Sequence, residues 1–412
     1  MNKLSSIAYY VTDKISSNDI SLSEYVTTDC ILQNKKGREV ASNLPPQPCC
    51  LTRYQRGDIL IANIRPYLKK VWFADIDGGA SSDVLVFRAK EGHSPSFLYA
   101  VLLQDSFFDY VMQGAKGSKM PRGDKEQILR YEMPILSCSE ESIGTFFLNL
   151  DQKIRLNEQI NQNLEAMAKQ LYDYWFVQFD FPNEEGKPYK SSGGAMVWNE
   201  TLKRDIPEGW NDCVLGDYIG RITNGLNPRK NFVLGNGNNY YVTIRSLAGT
   251  TIDWNNCDRC DDEALAKINS RSQLQIGDII FSAIGTIGRT YYILEEPSNW
   301  NISETSFTLR AKNNVPNDFF YGMLRSNEIQ IKSDKAAMGS TLRCLVMDSL
   351  CSLLYVKVPE KIMCTFSAKV SPLYRQIHQN NKEIAELTKQ RNELLPLLMN
   401  GQVSVNSDLA DD

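Results

Sequence analysis

The sequence has only two histidines, His93 and His378, among its 412 residues. Histidine is the side chain that most often transfers protons near neutral pH, so little is left for acid–base catalysis. The chain also lacks a GxxxxGK[ST] loop, the common phosphate-binding motif of nucleoside triphosphatases. No stretch approaches the roughly 18 consecutive apolar residues of a membrane span, and residues 1–6 lack the apolar core of a signal peptide. We therefore expect a cytoplasmic protein with no membrane partner.

An excess of positive charge is also missing. The sequence has 45 Lys and Arg against 49 Asp and Glu, a net charge of −4 with a pI near 5.5. This balance argues against a free-standing nucleic-acid binder, although it permits local basic patches. The ten cysteines are scattered, which indicates reduced thiols rather than a disulfide framework. Cys257 and Cys260 have metal-ligand spacing but no second pair or nearby histidine, so we expect no metal and no cofactor.

The sequence does contain a long internal repeat. Residues 56–61 (RGDILI) return as 276–281 (IGDIIF), an offset of 277 − 57 = 220. Residues 87–90 (FRAK) return as 309–312 (LRAK), and Gly117-Ser118 returns as Gly339-Ser340. The matches keep one order, and their spacing exceeds the roughly 20 to 50 residues of solenoid repeats. The pattern predicts two copies of one globular module.

Each module has the pattern of an α+β fold. Short apolar runs rich in β-branched residues follow a Gly-Asp turn at 58–62 and 278–283. Further strands are predicted at 84–88 and 306–310, and helical stretches at 97–112 and 318–333.

A long helix is predicted after each module, and both helices show a heptad of apolar positions. Asn157 and Asn380 occupy positions in the two seams, where a buried Asn can determine register at some cost in stability. Each helix could simply pack on its own module, which is the commoner arrangement. Pairing is favoured because both helices follow equivalent modules and step by heptads. The positions assigned to the paired seam are Asn157, Ile160, Leu164, Met167, Leu171, Ile377, Asn380, Ile384, Leu387 and Leu394.

Residues 179–205 lie between the halves and are rich in Gly, Pro and Ser toward their middle. This composition predicts an exposed connector. The second module then opens with 206–210 (IPEGW) and 215–217 (LGD). The first module lacks this Trp and Leu-Gly-Asp opening.

On these residues the chain resembles the specificity subunits of type I restriction-modification systems. The most specific motifs are residues 175–194 and 206–217, then 277–279 (GDI) with 285–288 (GTIG), and 394–401 (LLPLLMNG). The resemblance covers essentially the whole chain. It implies two homologous target-recognition domains, separated by two long helices that form an antiparallel coiled coil with pseudo-two-fold symmetry. The expected boundaries are target-recognition domain 1 at 1–145, spacer helix 1 at 146–178, linker at 179–205, target-recognition domain 2 at 206–371, spacer helix 2 at 372–405, and a disordered tail at 406–412.

The resemblance also implies a function and a set of partners. The chain is expected to be a non-catalytic subunit whose two domains each recognise one half of a bipartite site in double-stranded DNA. Two methyltransferase subunits are expected to dock near the helices, and motor-nuclease subunits to join for cleavage. A helix over 146–177 would be about 48 Å long, against roughly 34–36 Å for one turn of DNA. We therefore expect helix length to set the unread spacer between the half-sites.

The candidate DNA-binding residues are cations and hydroxyls in loops that contain glycine or proline, a composition suited to phosphate contacts. Such loops are more often merely solvated, and 285–289 could equally be a simple hairpin turn. The sequence assigns no base to any side chain. The candidates are Arg65, Lys69, Lys70, Lys116, Ser118, Lys119, Arg122, Arg229, Lys230, Thr286, Arg289, Ser340, Thr341 and Arg343.

Two alternatives belong to other functional classes. In the first, the modules bind protein and the chain is an interaction scaffold, which predicts no salt-dependent affinity for DNA. In the second, the chain is itself a methyltransferase. The second needs an Asp/Asn-Pro-Pro-aromatic motif, and residues 44–47 (LPPQ) do not supply one.

Overall fold

The computed structural model of the chain describes residues 2–133 and 139–403. The tail predicted at 406–412 lies outside these residues. The chain forms two compact units, and the division falls within both long helices. Unit 1 takes in the described residues of Met1–Glu158 and Glu383–Asp412, and unit 2 is Gln159–Lys382. Within the described ranges, no helix combines the length and apolar character needed to cross a membrane.

Unit 1 contains two four-stranded sheets. The first is antiparallel, and its strands in spatial order are Ala8–Tyr10, Val84–Ala89, Ile59–Ala62 and Val71–Phe73. In the second sheet one pair of neighbours is parallel, and its strands in spatial order are Lys14–Ser16, Cys50–Tyr54, Gly78–Ala80 and Tyr25–Val26. A short pair, Asn2–Lys3 with Glu132–Met133, lies apart from both sheets.

Unit 2 repeats the first sheet of unit 1 strand for strand. Its antiparallel strands in spatial order are Ile219–Asn224, Ser306–Ala311, Ile279–Ser282 and Thr290–Tyr292. A three-stranded sheet, also with one parallel pair, consists of Asp258–Cys260, Asn239–Val242 and Trp300–Ile302. Three two-stranded pairs complete the strands of this unit: Met196–Asn199 with Arg204–Pro207, Asn211–Val214 with Leu354–Lys357, and Leu247–Ala248 with Thr251–Ile252.

Sheet register confirms that the two copies correspond residue by residue. Ile59 pairs with Phe87 in unit 1, and Ile279 pairs with Leu309 in unit 2. These are the positions that the repeat aligned. The two modules are therefore homologous α+β domains, as the repeat predicts.

A buried ion pair recurs at the start of the central strand of each first sheet. Asp58 is 1% exposed and accepts hydrogen bonds from Arg88 Nε and Nη2 at 2.7 and 2.8 Å. Asp278 is also 1% exposed and accepts from Arg310 at the same two distances. In both units the aspartate also accepts a backbone N–H three residues before it. A buried carboxylate needs such partners because desolvation of an unpaired charge is costly.

The opening that unit 1 lacks in sequence is present in its structure. Leu215 N donates to Leu353 O at 2.8 Å and begins a short 3-10 turn, Leu215–Asp217. Leu4 N donates to Tyr131 O at 2.8 Å and begins the short helix Leu4–Ile7 at the equivalent place. A buried leucine and a backbone bond are enough for this turn, so the motif is not required.

The shorter helices also correspond, although each predicted stretch is two helices. In unit 2 the break falls at Ser326, whose side chain accepts from Ile329 N and caps the second helix. Ser, Thr, Asp and Asn favour this position because they satisfy an N–H that the helix leaves without a partner. The corresponding helices are Pro95–Leu102, Asp105–Gln113 and Lys125–Ile128 in unit 1, and Asn317–Arg325, Asn327–Ala336 and Met347–Cys351 in unit 2; the helix Asp262–Ser272 of unit 2 has no counterpart among the described helices of unit 1.

The two long helices differ from their predicted boundaries. The first is Glu140–Tyr172, followed by a π-helical turn at Asp173–Val177, and it begins six residues before the predicted 146. Gly144 lies inside this helix. A Cβ at this position would lie 2.3 Å from the backbone N of Phe97, so the close packing requires a glycine. The second is Glu360–Met399, against a predicted 372–405. It runs through Pro372, since Phe366 and Val370 before that proline are fully buried, and it ends before Gly401, where φ is +69°.

Within each unit, segments of the two long helices pack side by side and antiparallel. In unit 1, Asp151 Oδ1 lies 3.1 Å from Arg391 Nη1, and Asn157 Nδ2 donates to Glu383 Oε2 at 2.9 Å. In unit 2, Asn380 Nδ2 donates to Asn161 Oδ1 at 2.8 Å.

The predicted seam of the first helix is wrong at two of its positions. Ile160 and Met167 are 36% and 54% exposed, whereas Asn161 and Ala168 are 6% and 2% exposed. Asn161 is buried because Asn380 and Asn381 satisfy its side-chain amide. The buried positions of this helix are still spaced three and four residues apart. The polar Asn161 occupies the buried position that the apolar pattern assigned to Ile160.

The predicted exposed connector is wrong at its start, where the chain is buried. Phe181 is 5% exposed and stacks between Tyr189 and Trp210, with ring centroids 4.8 and 5.0 Å away. Asp180 accepts hydrogen bonds from the backbone and the hydroxyl of Ser191 at 2.7 and 2.6 Å. Residues 184–187 and 190–193 are exposed as predicted, and the end of the segment forms the strand pair Met196–Asn199 with Arg204–Pro207. The segment is therefore folded as part of unit 2.

The end of the second long helix belongs to the core of unit 1. Leu395, Leu398 and Met399 are each no more than 3% exposed and pack among Phe97, Phe107 and their neighbours. In the same manner Tyr172 and Phe176 of the first helix lie in the core of unit 2. Each unit thus needs helical residues from two distant parts of the sequence.

Candidate nucleic-acid interface

A tight loop lies beside the end of the central strand in each unit, joined to it by the bridges Ile64–Arg122 and Ile284–Cys344. We call residues 116–122 the first tip loop and residues 338–344 the second tip loop. Lys116 and Arg122 exchange backbone hydrogen bonds at 2.9 Å and close the first. Met338 and Cys344 exchange bonds at 2.9 and 2.8 Å and close the second. The two loops therefore have the same length and closure.

Each tip loop turns at a glycine in the left-handed region. Gly117 has φ +96° and Gly339 has φ +99°, values that glycine adopts without steric cost. A further backbone bond ties each loop to the turn beyond the central strand: Arg65 N donates to Pro121 O, and Gly285 N donates to Arg343 O, both at 2.8 Å. The loops are held by backbone bonds, so the side chains on them can differ.

The first tip loop carries the cations predicted for it, all on exposed residues. Lys116 lies 3.1 Å from Asp124, and Arg122 lies 3.0 Å from Asp83. Exposed pairs of this kind contribute about 0–1 kcal/mol, so either cation can exchange its partner for a phosphate at little cost. Lys119 makes no ion pair with another described residue. The N–H of Gln127 and the ammonium of Lys116 lower the pKa of Asp124.

The second tip loop is poorer in available charge. Ser340 and Thr341 are exposed hydroxyls at its turn. Arg343 lies 2.6 Å from Asp334 Oδ1 and also donates to the carbonyl oxygens of Asp334 and Ala337. This predicted DNA-binding residue is therefore held by its own unit. Its counterpart in the first loop is Pro121, which is buried.

The turn beside each tip loop contains the next group of predicted residues. Arg65 is exposed, with φ +54°, and Lys69 is held by Asp105 at 2.8 Å. Asp105 also pairs with Lys35, which is 7% exposed. The side chain of Thr286 is exposed at the equivalent turn of unit 2. Arg65 and Thr286 are thus accessible in the two turns, and so is Tyr67, which is 50% exposed.

Lys70 and Arg289 occupy equivalent positions and make equivalent contacts. Ala62 N donates to Lys70 O, and Ser282 N donates to Arg289 O. Lys70 Nζ donates to Thr28 O at 2.5 Å. Arg289 Nη1 donates to two backbone carbonyls, those of Ile244 and Leu247, at 3.1 Å each. Both cations join the central sheet to a loop of the same unit.

Arg229 and Lys230 lie in a separate turn of unit 2, Pro228–Lys230, and both are exposed. Asn227 caps this turn and donates to Glu304 Oε1 at 2.9 Å. The next residue, Thr305, accepts the backbone N–H of Ile284 at the start of the GTIG turn. These contacts connect the Arg229 turn to the same end of the central sheet as the second tip loop.

The sequence analysis missed three exposed side chains near these loops. Arg245 is exposed and lines a groove of unit 2 with Arg289 and Gln330. Met120 and Leu342, 50% and 64% exposed, lie at the same position of the two tip loops. The repeat offset of 222 residues aligns Met120 with Leu342 in the sequence, but the predicted DNA-binding residues were only cations and hydroxyls.

We also examined the histidines and cysteines as possible metal-binding or catalytic groups. Within residues 2–133 and 139–403, no group of three or more His, Cys, Asp or Glu could hold a metal ion. His93 lies 3.1 Å from Glu140, and His378 lies 3.6 Å from Glu295. Cys260 is buried, and Cys257 donates to Asp253 O.

Comparison with known proteins confirms the resemblance drawn from the sequence motifs. No protein-family model matches the chain. The specificity subunit of the type I restriction enzyme MjaIX from Methanocaldococcus jannaschii is 25% identical over 402 residues, which cover 95% of this chain and 86% of that protein. The specificity subunit of the type I enzyme HindI from Haemophilus influenzae is 24% identical, covering 92% and 94%. A crystal structure of the S subunit of a type I restriction-modification system from M. genitalium shares the fold, with a TM-score of 0.59, 16% identity and coverage of 96% and 95%.

Proposed function

We propose that this chain, which belongs to the family of type I restriction-modification specificity subunits, recognises a bipartite site in double-stranded DNA, one half with each unit. The observation that carries this proposal is the duplicated tip loop. Its length, backbone closure and glycine conformation are the same in both units, but its side chains differ. Two loops with the same backbone but different side chains are suited to two half-sites of different sequence.

The exposed residues of the tip loops and adjacent turns are the proposed DNA contacts. Lys116, Lys119 and Arg122 would neutralise phosphates, which supply most of the affinity in protein–DNA complexes. The hydroxyls of Ser118, Ser340 and Thr341, and the exposed Arg65, Arg229, Lys230 and Thr286, would contact phosphate or base edges. Lys69, Lys70, Arg289 and Arg343 would instead support the loops, because each is held within its own unit.

The catalytic chemistry of the system would come from partner subunits. Two methyltransferase subunits would dock near the paired helix segments, and motor-nuclease subunits would join the same complex in the cytoplasm. This chain would contribute specificity and no catalysis. Its long helices would set the unread spacer between the half-sites.

The first test is genome-wide adenine methylation, measured by long-read sequencing in cells that carry the cognate methyltransferase. Deletion of this chain should abolish methylation at one bipartite motif, and the wild-type gene should restore it. A variant with Lys116→Gln, Lys119→Gln and Arg122→Gln should restore it poorly. The control with the same change in charge is Lys187→Gln, Lys190→Gln and Lys203→Gln, at exposed positions away from the tip loops.

The control variant should restore methylation fully. If both triple variants behave like wild type, the first tip loop is not a DNA contact. If deletion leaves the methylome unchanged and the purified complex binds DNA without salt dependence, the chain is an interaction scaffold instead.

A further inference from the structure

Both tip loops expose a large apolar side chain at their outer turn. Met120 is 50% exposed and Leu342 is 64% exposed. Each lies two residues before the residue whose backbone closes its loop, Arg122 or Cys344. The two positions therefore correspond in structure as well as in sequence.

A single exposed apolar residue would carry no argument, because such residues are common on protein surfaces. The other positions of the loops have diverged freely: Lys116 corresponds to Met338, Lys119 to Thr341, and Pro121 to Arg343. Apart from the glycine and serine of the turn, the apolar character of Met120 and Leu342 is what the two tips share. Solubility would favour a polar residue here, so we look for a function that needs an apolar one.

Each tip is closed by backbone hydrogen bonds and turns tightly at its glycine. A Cβ at Gly339 would lie 2.5 Å from Leu342 O, and one at Gly117 would lie 3.3 Å from Met120 O. The backbone of each glycine thus passes close to the residue that carries the apolar side chain. A preorganised loop spends less entropy on binding than a mobile one.

The surroundings of the tips indicate the kind of partner. Lys116, Lys119 and Arg122 flank Met120, and the hydroxyls of Ser340 and Thr341 precede Leu342. Cations and hydroxyls around an apolar side chain match duplex DNA, where phosphates border the grooves and the apolar faces of the bases are reached when a base step opens. Leu and Met are among the residues that other proteins insert between base pairs.

We propose that Met120 and Leu342 are wedges, each of which enters the base stack of the half-site bound by its own unit. This inference rests on the proposed function. Enzymes that modify a base take it out of the helix, at a cost of a few kcal/mol for lost stacking. A wedge in each half-site would lower that cost for the methyltransferase partners. The wedges would thus prepare the substrate as well as hold it.

The test uses the complete complex with its methyltransferase subunits and duplexes that carry 2-aminopurine in one half-site or the other. Stacking quenches 2-aminopurine, so a wedge should raise its fluorescence. Met120→Ala should abolish the rise in one half-site and leave the other unchanged, and Leu342→Ala should do the reverse. Each substitution should weaken binding about tenfold, which corresponds to a loss of about 1.4 kcal/mol. Met120→Leu and Leu342→Met should retain both signals.

Three results would overturn the inference. Alanine variants that keep wild-type fluorescence and affinity would show that the tips do not enter the stack, and the proposed function would stand. Loss of methyltransferase subunits from either alanine variant, measured by gel filtration, would show that the tips contact protein. If the wild-type complex itself binds DNA without salt dependence, the proposed function fails, and the inference fails with it.

Discussion

The two tip loops are built on the same backbone, but the charge available on them differs. In unit 1 the loop offers Lys116, Lys119 and Arg122, whereas in unit 2 the corresponding positions are Met338, Thr341 and Cys344. The one cation of the second loop, Arg343, is held by Asp334. The comparison shows that backbone bonds and a glycine are sufficient to hold this loop, so its side chains are free to specialise.

The same contrast extends to the second sheets. In unit 1 the strand Gly78–Ala80 pairs with Tyr25–Val26 on one side and with Cys50–Tyr54 on the other. In unit 2 the equivalent strand, Trp300–Ile302, is packed by the helix Asp262–Ser272, whose Ser272 hydroxyl donates to Asn301 Oδ1 at 2.8 Å. The first sheet and its ion pair are common to both units, and the surrounding elements diverge. Three experiments test this contrast between the common frame and its divergent side chains.

The largest effect is expected where the units are alike. Asp58→Ala and Asp278→Ala should each lower the free energy of unfolding by about 3 kcal/mol or more, since each leaves an arginine without the buried partner it binds. These hydrogen bonds raise the pKa of Arg88 and of Arg310. Urea unfolding followed by circular dichroism measures the loss.

The control for this prediction is Glu185→Gln, which removes an exposed partner of Lys187 and should cost no more than about 1 kcal/mol. Losses of under 1 kcal/mol for either aspartate would mean that the shared ion pair is not part of what stabilises the common frame.

An intermediate effect is expected at the turns of the tip loops. Gly339→Ala should cost roughly 1–3 kcal/mol, because it combines a strained φ with a collision against Leu342 O. Gly117→Ala should cost less, since its Cβ would lie farther from Met120 O. Thermal unfolding of the variants measures both.

Gly186→Ala separates the two causes. Its φ is +76°, but a Cβ there would have no heavy atom within 4 Å. The free-energy cost of Gly186→Ala should therefore come from backbone strain alone. A cost for Gly339→Ala no greater than for Gly186→Ala would show that the second tip loop relaxes around the added methyl group.

The smallest effect is expected in the salt dependence of DNA binding. Lys119→Gln should reduce the slope of log K against log salt concentration by about 0.9, the value for one lost phosphate contact. Thr341→Val, the same position in unit 2, should leave the slope unchanged because no charge is removed. Fluorescence anisotropy titrations of the complex with labelled duplex measure these slopes. Equal slopes for the two variants would contradict a phosphate contact by Lys119.

Sequence reasoning succeeded where the signal was local and repeated. The matched RGDILI and IGDIIF segments are the central strands of the two first sheets, in the same register. It failed where a polar residue is buried through a distant partner. Asn161 lies in the helix seam and Ile160 does not, because Asn380 and Asn381, more than 200 residues away, satisfy the amide.

The candidate site was predicted only in part. The structure places Lys116, Lys119 and Arg122 on an exposed loop, and their contact with DNA stays a prediction. Sequence could not separate Lys119, which is exposed, from Arg343, which its own unit holds, because the carboxylate and carbonyls around an arginine depend on how the chain folds back.

The duplication, the α+β class of each module and the presence of two long helices can be read from the sequence, since repeats and periodicity are local properties of the chain. Where those helices begin and end, and which core each end completes, depends on tertiary packing. Leu398 lies near the end of the described chain, yet it packs in the core of unit 1 with Phe97 and Phe107. Burial of apolar surface is non-directional and independent of separation along the chain, so a local pattern could show that Leu398 is apolar but not what would cover it.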